Sequence, residues 1–421
     1  MNVWMEYLRM YSQLKNNERI KKNVKKSNMY NKRIQEYRTS EIEGFITKND
    51  IYGRLVISGG SSYIRNRAIN EYCIYAYNNN IPVIILHKSN SELANEISSL
   101  FSQVYNYTVI DSSSMNYNPF MCKNPDEVIQ LIKIATCNCK EVSFNANAFE
   151  YLIGISLLIN NITGNVPFDM FAPIPYNDVF DKIKERTISG ALSINEGDAI
   201  SSRLLKGQQE QSVLENYFKE LSSQGKGLFA DISNRKNSVS LSALVKKSHI
   251  SIIDIKSDVN TLLLNIIIGE LLQLISSNSK FILVLSEIDM YGNELLKKIL
   301  HSNTSNWLIS SEDLFPILGS DEKEFTFFTN MASKVLIMAH RNNKSAEQWS
   351  NYLGEYEEAK ISESNNLNYC NNVIFQKPLN TLTVSTSKEK RVPTSTISKM
   401  SDNEIFVNDN TTGELKHARL K

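Results

Sequence analysis

Residues with the types and spacing to hold a phosphate gather between Arg54 and His87, in the stretch RLVISGGSSYIRNRAINEYCIYAYNNNIPVIILH. An apolar run, Leu55 to Ile57, enters a small-residue turn from Ser58 to Ser62. A helix-compatible segment follows, and a second apolar run, Val83 to Leu86, closes the unit. Strand, glycine-bearing turn, helix and strand in that order bring backbone N–H groups and a helix N-terminus to one point, where an anion is stabilised. The phosphate-loop template G-x-x-x-x-G-K-[ST] places its first glycine at Gly59 or Gly60 and its Gly-Lys-Ser/Thr end on Ile64, Arg65 and Asn66. Candidate nucleotide-binding residues are therefore Gly59, Gly60, Ser61, Ser62, Arg65 and Asn66. Ile64 is β-branched and resists the positive φ that a glycine would adopt, at about 1–2 kcal/mol. Arg65 keeps a positive charge on a planar fork wider than a lysine ammonium. Asn66 offers a carbonyl oxygen where a hydroxyl would meet Mg²⁺. The same residues also read as a packing turn without a ligand.

A phosphate-loop ATPase needs a second strand ending in Asp-Glu, one acid for Mg²⁺ and one for the attacking water. The counterpart is Phe281-Ile-Leu-Val-Leu-Ser286-Glu287. Glu287 is the candidate catalytic carboxylate, and Ser286 stands where the metal-holding Asp would be. A serine hydroxyl carries no charge and is a poor substitute beside a divalent cation. Asp289 lies three residues beyond Ser286, past the strand. Taken alone, Ser286 and Glu287 read more readily as the polar end of a buried strand.

Strands and helices must bring these two stretches together. Strand patterns fall at 54–58, 82–87, 107–111, 249–254, 280–286, 306–310 and 334–338, with helical spacing between most of them. Such nearly continuous apolar strands imply a mainly parallel sheet covered on both faces. Between 125 and 235 the strand signal disappears. Segments 125–136, 147–160, 176–186 and 209–223 have helical spacing, and loop chemistry is expected at 164–175 and 190–198. Five parts follow: a basic helical extension (1–50), an α/β core in two parts (51–124 and 236–380), a helical insertion (125–235) and a Ser/Thr/Lys-rich tail (381–421) with one short strand or hairpin.

The 421 residues carry 42% hydrophobic side chains and a net charge of only +1, which removes any global drive toward nucleic acid. Charge is concentrated locally. Residues 1–40 hold ten basic against three acidic side chains, with Trp4, Leu8, Tyr11 and Leu14 spaced for one helix face. That helix reads as a contact for nucleic acid or an anionic membrane, or as a solvated face. The longest apolar segments, 151–160 and 262–275, are too short or too polar to span a bilayer, and the opening residues do not form a secretory signal. Five scattered cysteines argue for a reducing compartment, with the cytoplasm expected. The five histidines are isolated and Cys137-Asn-Cys139 has no second pair, so no metal site is expected.

Taken together, the motifs resemble the type IV coupling proteins of conjugation and secretion (TraG/TraD-like), relatives of the FtsK/HerA hexameric DNA-pumping ATPases. That family's loop often reads G-G-S-G-S-G-K-T-R, against Gly59-Gly60-Ser61-Ser62-Tyr63-Ile64-Arg65-Asn66-Arg67 here. Tyr117-Asn118-Pro119-Phe120 is similar to its Asn-Pro turn. Trp307 to Leu314 resembles the strand carrying a phosphate-sensing Gln, which puts Glu312 in the Gln position. Ala332 to Met338, Ser345 to Ser350 and Leu353-Gly-Glu-Tyr356 resemble its late strand, helix and ending, and 392–404 resembles its tail. The resemblance runs collinearly over 50–421. It implies a RecA-like P-loop core with an inserted all-helical subdomain, ATP and Mg²⁺ as cofactors, related ATPase subunits as oligomeric partners, and DNA as a further partner. Arg235 or Arg341 would be asked to act in trans, and nothing in the sequence picks either one. The departures fall on catalysis: Ile64, Arg65, Asn66, Ser286 and Glu312. The family's usual membrane-spanning N-terminus is also missing. ATP turnover therefore does not carry over, no bound cofactor is expected, and a pseudo-ATPase acting as scaffold or adaptor in a DNA-transfer or secretion assembly is the expectation. Alternatives are an active ATP-driven DNA translocase with a non-standard site, and a nucleic-acid-binding module using the basic N-terminal helix.

Overall fold

In the computed structural model the chain folds as two units, residues 1–42 with 337–421 and residues 43–336. Described residues are 2–35, 39–42, 44–102, 107–121, 123–137, 144–171, 178–247, 249–255, 261–302, 306–366 and 379–420. Cys139 of the Cys137-Asn-Cys139 pair lies outside them. The first unit contributes helix α1 (Asn2–Gln35) and strand β1 (Thr39–Ile42) before the chain enters the second.

The second unit opens with β2 (Arg54–Ser58), α2 (Ser62–Asn78), β3 (Val83–His87), α3 (Ser91–Phe101) and β4 (Tyr107–Ile110). Six helices follow: α4 (Pro125–Thr136), α5 (Ala146–Thr163), α6 (Val179–Ile188), α7 (Ile194–Gly207), α8 (Gln211–Gln224) and α9 (Leu241–Lys246). Alternation then resumes with β5 (Ile250–Asp254), α10 (Thr261–Ser276), β6 (Ile282–Ser286), α11 (Glu294–His301), β7 (Asn306–Ser311), α12 (Leu314–Ile317), α13 (Glu322–Met331) and β8 (Lys334–Ile337). The strands lie in the order β8-β2-β7-β6-β3-β5-β4. From β2 to β4 every pairing is parallel. Leu55, Val56 and Ile57 are fully buried in succession, as are Val83 to Leu86. Successive strand residues face opposite sides, so burial of all of them requires helices on both faces.

One expected loop is a helix. Residues 190–198 read as a loop because of their glycines, yet α7 starts at Ile194. Ser193 and Glu196 form a reciprocal capping box that satisfies its first N–H groups. Gly197 sits inside the helix because a Cβ there would stand 2.7 Å from Thr187 Oγ1 on α6. Here glycine serves close helix approach and does not break the helix.

A buried ion pair ties the segment before α4 to α10. Lys123 Nζ lies 3.0 Å from Glu270 Oε1, with side chains 6% and 0% exposed. Tyr117 Oη donates to Glu270 Oε2 at 2.9 Å, and the N–H and Oγ of Ser242 both donate to Oε1. Burial and the facing Glu270 carboxylate push the Tyr117 phenol well above its usual pKa, so it stays a donor. Four donors on one buried carboxylate meet the condition under which such a charge is tolerated.

In the first unit the chain continues through α14 (Asn343–Tyr352), the antiparallel pair β9 (Glu355–Asn366) and β10 (Leu379–Lys390), α15 (Thr394–Ser398), and the hairpin of β11 (Glu404–Asp409) with β12 (Glu414–Leu420). β1 pairs with β12 in parallel. Residues from 381 onward, expected as a tail with one strand or hairpin, thus hold three strands or parts of strands and a short helix. Their Ser/Thr/Lys composition hides β10, which is held by its ladder and by cross-strand pairs, Lys360 with Glu389 at 2.6 Å and Lys390 with Glu355 at 2.5 Å. α1 lies along the free edge of β9: Asn28 donates to Ala359 O at 2.8 Å and accepts Ala359 N–H at 3.1 Å.

Glu270→Ala should destabilise the chain by about 3–5 kcal/mol in urea unfolding, because it strands a buried ammonium. Replacing both partners together, Lys123→Met with Glu270→Leu, should cost clearly less.

Candidate functional site

Parallel register alone lines up the candidate residues. Ser58 at the end of β2 pairs with Ser311 of β7, Ser310 with Ser286 of β6, and Ser286 with His87 of β3, which also pairs with Asp254 of β5. All of them therefore sit at the carboxyl edge of the sheet, where open α/β sheets place their ligands.

The turn after β2 is shorter than the template requires. Only Gly59, Gly60 and Ser61 separate the end of β2 from the start of α2. Positive φ falls on Gly59 (93°) and Gly60 (66°), so the glycines carry the whole left-handed turn. Ser62, Tyr63 and Ile64, which the template would keep in the loop, form the first helical turn. Ile64 thus needs no positive φ and is buried. The strain expected at this residue is avoided by starting the helix early.

Arg65 fills the turn. Its Nη1 donates to Gly59 O at 3.0 Å and Gly60 O at 2.6 Å, and its Nη2 pairs with Glu287 Oε1 at 2.7 Å. The side chains are 7% and 31% exposed. Glu287 has φ 58°, which turns its carboxylate back over the strand end; its N–H bonds Ser310 O at 2.9 Å. Both carboxylate oxygens also accept the Glu312 N–H, at 2.9 and 3.2 Å. The structure therefore brings together Gly59, Gly60, Arg65, Glu287 and the backbone of Glu312. Ser286 is buried beside them.

Other candidates point elsewhere. The Glu312 side chain is exposed. Asp289 is exposed and accepts Tyr291 N–H at 3.0 Å within its own turn. Asn66 is buried and gives its amide to Asn90, which donates to Asn66 Oδ1 at 3.0 Å while capping α3 through Leu93 N–H. Arg235 is chelated by the two carboxylate oxygens of Asp169. Arg341 is exposed.

Sequence reading missed Ser58 and Asn90. Ser58 is fully buried and accepts Leu314 N–H at 3.1 Å, pinning the start of α12 to the end of β2. Asn90 lay one residue before a helix pattern, an ordinary cap signal. Its N–H donates to His87 Nδ1 at 3.1 Å, which requires a neutral ring. Burial lowers the His87 pKa below its usual 6.5, opposed by the negative charges of Asp254 and Asp111.

Neither protein-family models nor curated proteins give a match to this chain. Among solved structures it is similar to the unbound bacterial conjugative coupling protein TrwB, at 13% identity and TM-score 0.51 over 93% of this chain and 90% of that one. TrwB in complex with ADP and Mg²⁺ aligns at 12% identity and TM-score 0.47, covering 92% and 90% of the two chains. VirB4 of Thermoanaerobacter pseudethanolicus aligns at 10% identity and TM-score 0.45, covering 87% and 89%. The likeness to unbound TrwB is one of fold, and the fold is the RecA-like P-loop arrangement expected from the sequence.

Two measurements probe this geometry. Arg65→Ala and Glu287→Ala should be non-additive in stability, with a coupling of about 1–3 kcal/mol, whereas a solvated pair would give under about 0.5. For His87 the unfolded chain binds the proton more tightly. Its stability contribution is therefore complete above about pH 6.5 and is lost as pH falls through the lower folded pKa. His87→Gln should flatten that part of the unfolding free-energy profile.

Proposed function

We propose that this chain is a coupling-protein-like subunit that does not turn over ATP, and that it serves a DNA-transfer or secretion assembly as a scaffold or adaptor. The observation that carries this reading is the Arg65 guanidinium bonded to the Gly59 and Gly60 carbonyls and to Glu287. In a phosphate loop the backbone N–H groups and a lysine face the phosphates. Here carbonyl oxygens and a carboxylate face a cation of the chain itself, and the negative charge at this point comes from Glu287.

A triphosphate entering the turn would have to displace Arg65 from three acceptors and leave Glu287 beside added negative charge. Removing one partner of a pair this shielded costs roughly 3 kcal/mol, about a hundredfold in affinity. Glu287 is held by Arg65 and by the Glu312 N–H, so its carboxylate serves the chain's own donors. Related ATPase subunits would then supply turnover in a mixed assembly, with this chain contributing its sheet and helices.

A second reading is an active motor in which Arg65 swings onto the phosphates and Glu287 activates water. The left-handed Glu287 at the end of β6 favours it, since a non-glycine held at φ 58° is the kind of strain that collects at working sites.

Calorimetry with ATP and Mg²⁺ separates the two. The scaffold reading expects no heat of binding at micromolar protein, for the native chain and for Arg65→Ala alike. Micromolar binding that disappears in Arg65→Ala would establish the motor reading instead.

A further inference from the structure

From Trp4, intervals of 4, 3, 4, 4, 3 and 4 residues along α1 reach Leu8, Tyr11, Lys15, Arg19, Lys22 and Lys26. At 3.6 residues per turn these seven fall within one narrow arc, a line about 33 Å long on one side of the helix. Every one of them is exposed. The line is divided by type: its first three members are apolar or aromatic, and its last four are cationic. Leu14, also exposed, flanks the apolar part, and Glu18 is the acidic residue flanking the basic part. The α1 residues that line the groove against β9, Lys21, Val24, Lys25, Asn28 and Met29, are centred roughly 110° around the helix from the line, with Met29 at the border between the two. The contact that holds α1 in its own unit thus leaves the line facing solvent.

We infer that this line is a docking surface for an anionic lipid membrane, with Trp4, Leu8 and Tyr11 entering the interface and Lys15, Arg19, Lys22 and Lys26 resting on lipid phosphates. Charge complementarity and the apolar segment together select this occupant. Interfacial helices combine an apolar strip that enters the headgroup boundary with cations that bind anionic lipid, and stable attachment takes both. Nucleic-acid phosphates would use the four cations and leave Leu8, Tyr11 and Leu14 in water. A second copy of the helix would bring like charges together along the same line.

Flotation of the full chain with vesicles provides the test, and its tryptophans supply a reporter. Of the three, Trp307 and Trp349 are fully buried and Trp4 is 73% exposed. The chain should float with phosphatidylcholine–phosphatidylglycerol vesicles and not with phosphatidylcholine alone, and Trp4 emission should shift to the blue. Combining Lys15→Ala, Arg19→Ala, Lys22→Ala and Lys26→Ala should weaken binding by more than about 50-fold, since each cation near an anionic surface contributes about fivefold. Combining Leu8→Gln, Tyr11→Gln and Leu14→Gln, which keeps helix propensity, should abolish the blue shift and the flotation. Equal flotation with both vesicle types, or none with either, overturns the inference. So does binding to a DNA oligonucleotide that is lost in the basic variant, kept in the apolar one, and unaccompanied by flotation; that outcome assigns α1 to nucleic acid.

Discussion

Arg65 governs what the carboxyl edge of this sheet can do. A guanidinium has five donors and no acceptor, so once it is drawn into a turn between two strand ends it needs oxygens around it. Gly59 and Gly60 supply two carbonyls and Glu287 a carboxylate. The glycines are free to point those carbonyls inward because both adopt positive φ. An early helix start at Ser62 follows, since a turn closed around a side chain has no use for a longer loop. Glu287, in turn, is fixed by Arg65 on one side and by the Glu312 N–H on the other. The polar centre is closed on one side by the chain's own donors and acceptors.

A second closed polar centre lies away from the strand ends, around Glu270. It too is a single carboxylate saturated by donors from distant parts of the chain: Lys123, Tyr117 and Ser242. The two differ in setting. The Glu270 side chain is wholly buried and fixes how the segment before α4 meets α10, whereas Glu287 retains a solvent-facing side. An exchangeable ligand could compete only at Glu287. Its competitor there is a cation supplied by the chain, which is why the identity of residue 65 weighs more than the loss of any single motif letter.

How much was legible can be judged from particular residues. The strand runs around Val56, Ile84, Ile252, Val284 and Ile309 announced a parallel sheet because residues buried on both faces leave no polar alternation in the sequence. Helices α4 and α8 were legible from their spacing and α7 was not, because Gly197 was read as a loop residue when it serves close packing against Thr187. β10 was hidden for a different reason: its apolar side is only Leu382 and Val384 among Thr, Ser and Lys, and the strand is held by a ladder and salt bridges that no local window contains. At the site, the positions of Arg65 and Glu287 were legible from motif spacing. Their bond to each other spans 222 residues of chain and no local pattern encodes it.

By itself, the sequence determined the alternation of strands and helices, the helical segment between them, and which side chains stand at the strand ends. These are consequences of local periodicity and residue type, which act over a few residues. Only the tertiary structure decided that the loop carbonyls turn inward, that Arg65 is satisfied by the chain's own oxygens, that Asn66 is committed to Asn90, and that the cationic line of α1 faces away from β9. Each of these depends on which donor meets which acceptor across the fold, and a buried charge takes whichever partner the packing brings within hydrogen-bond distance.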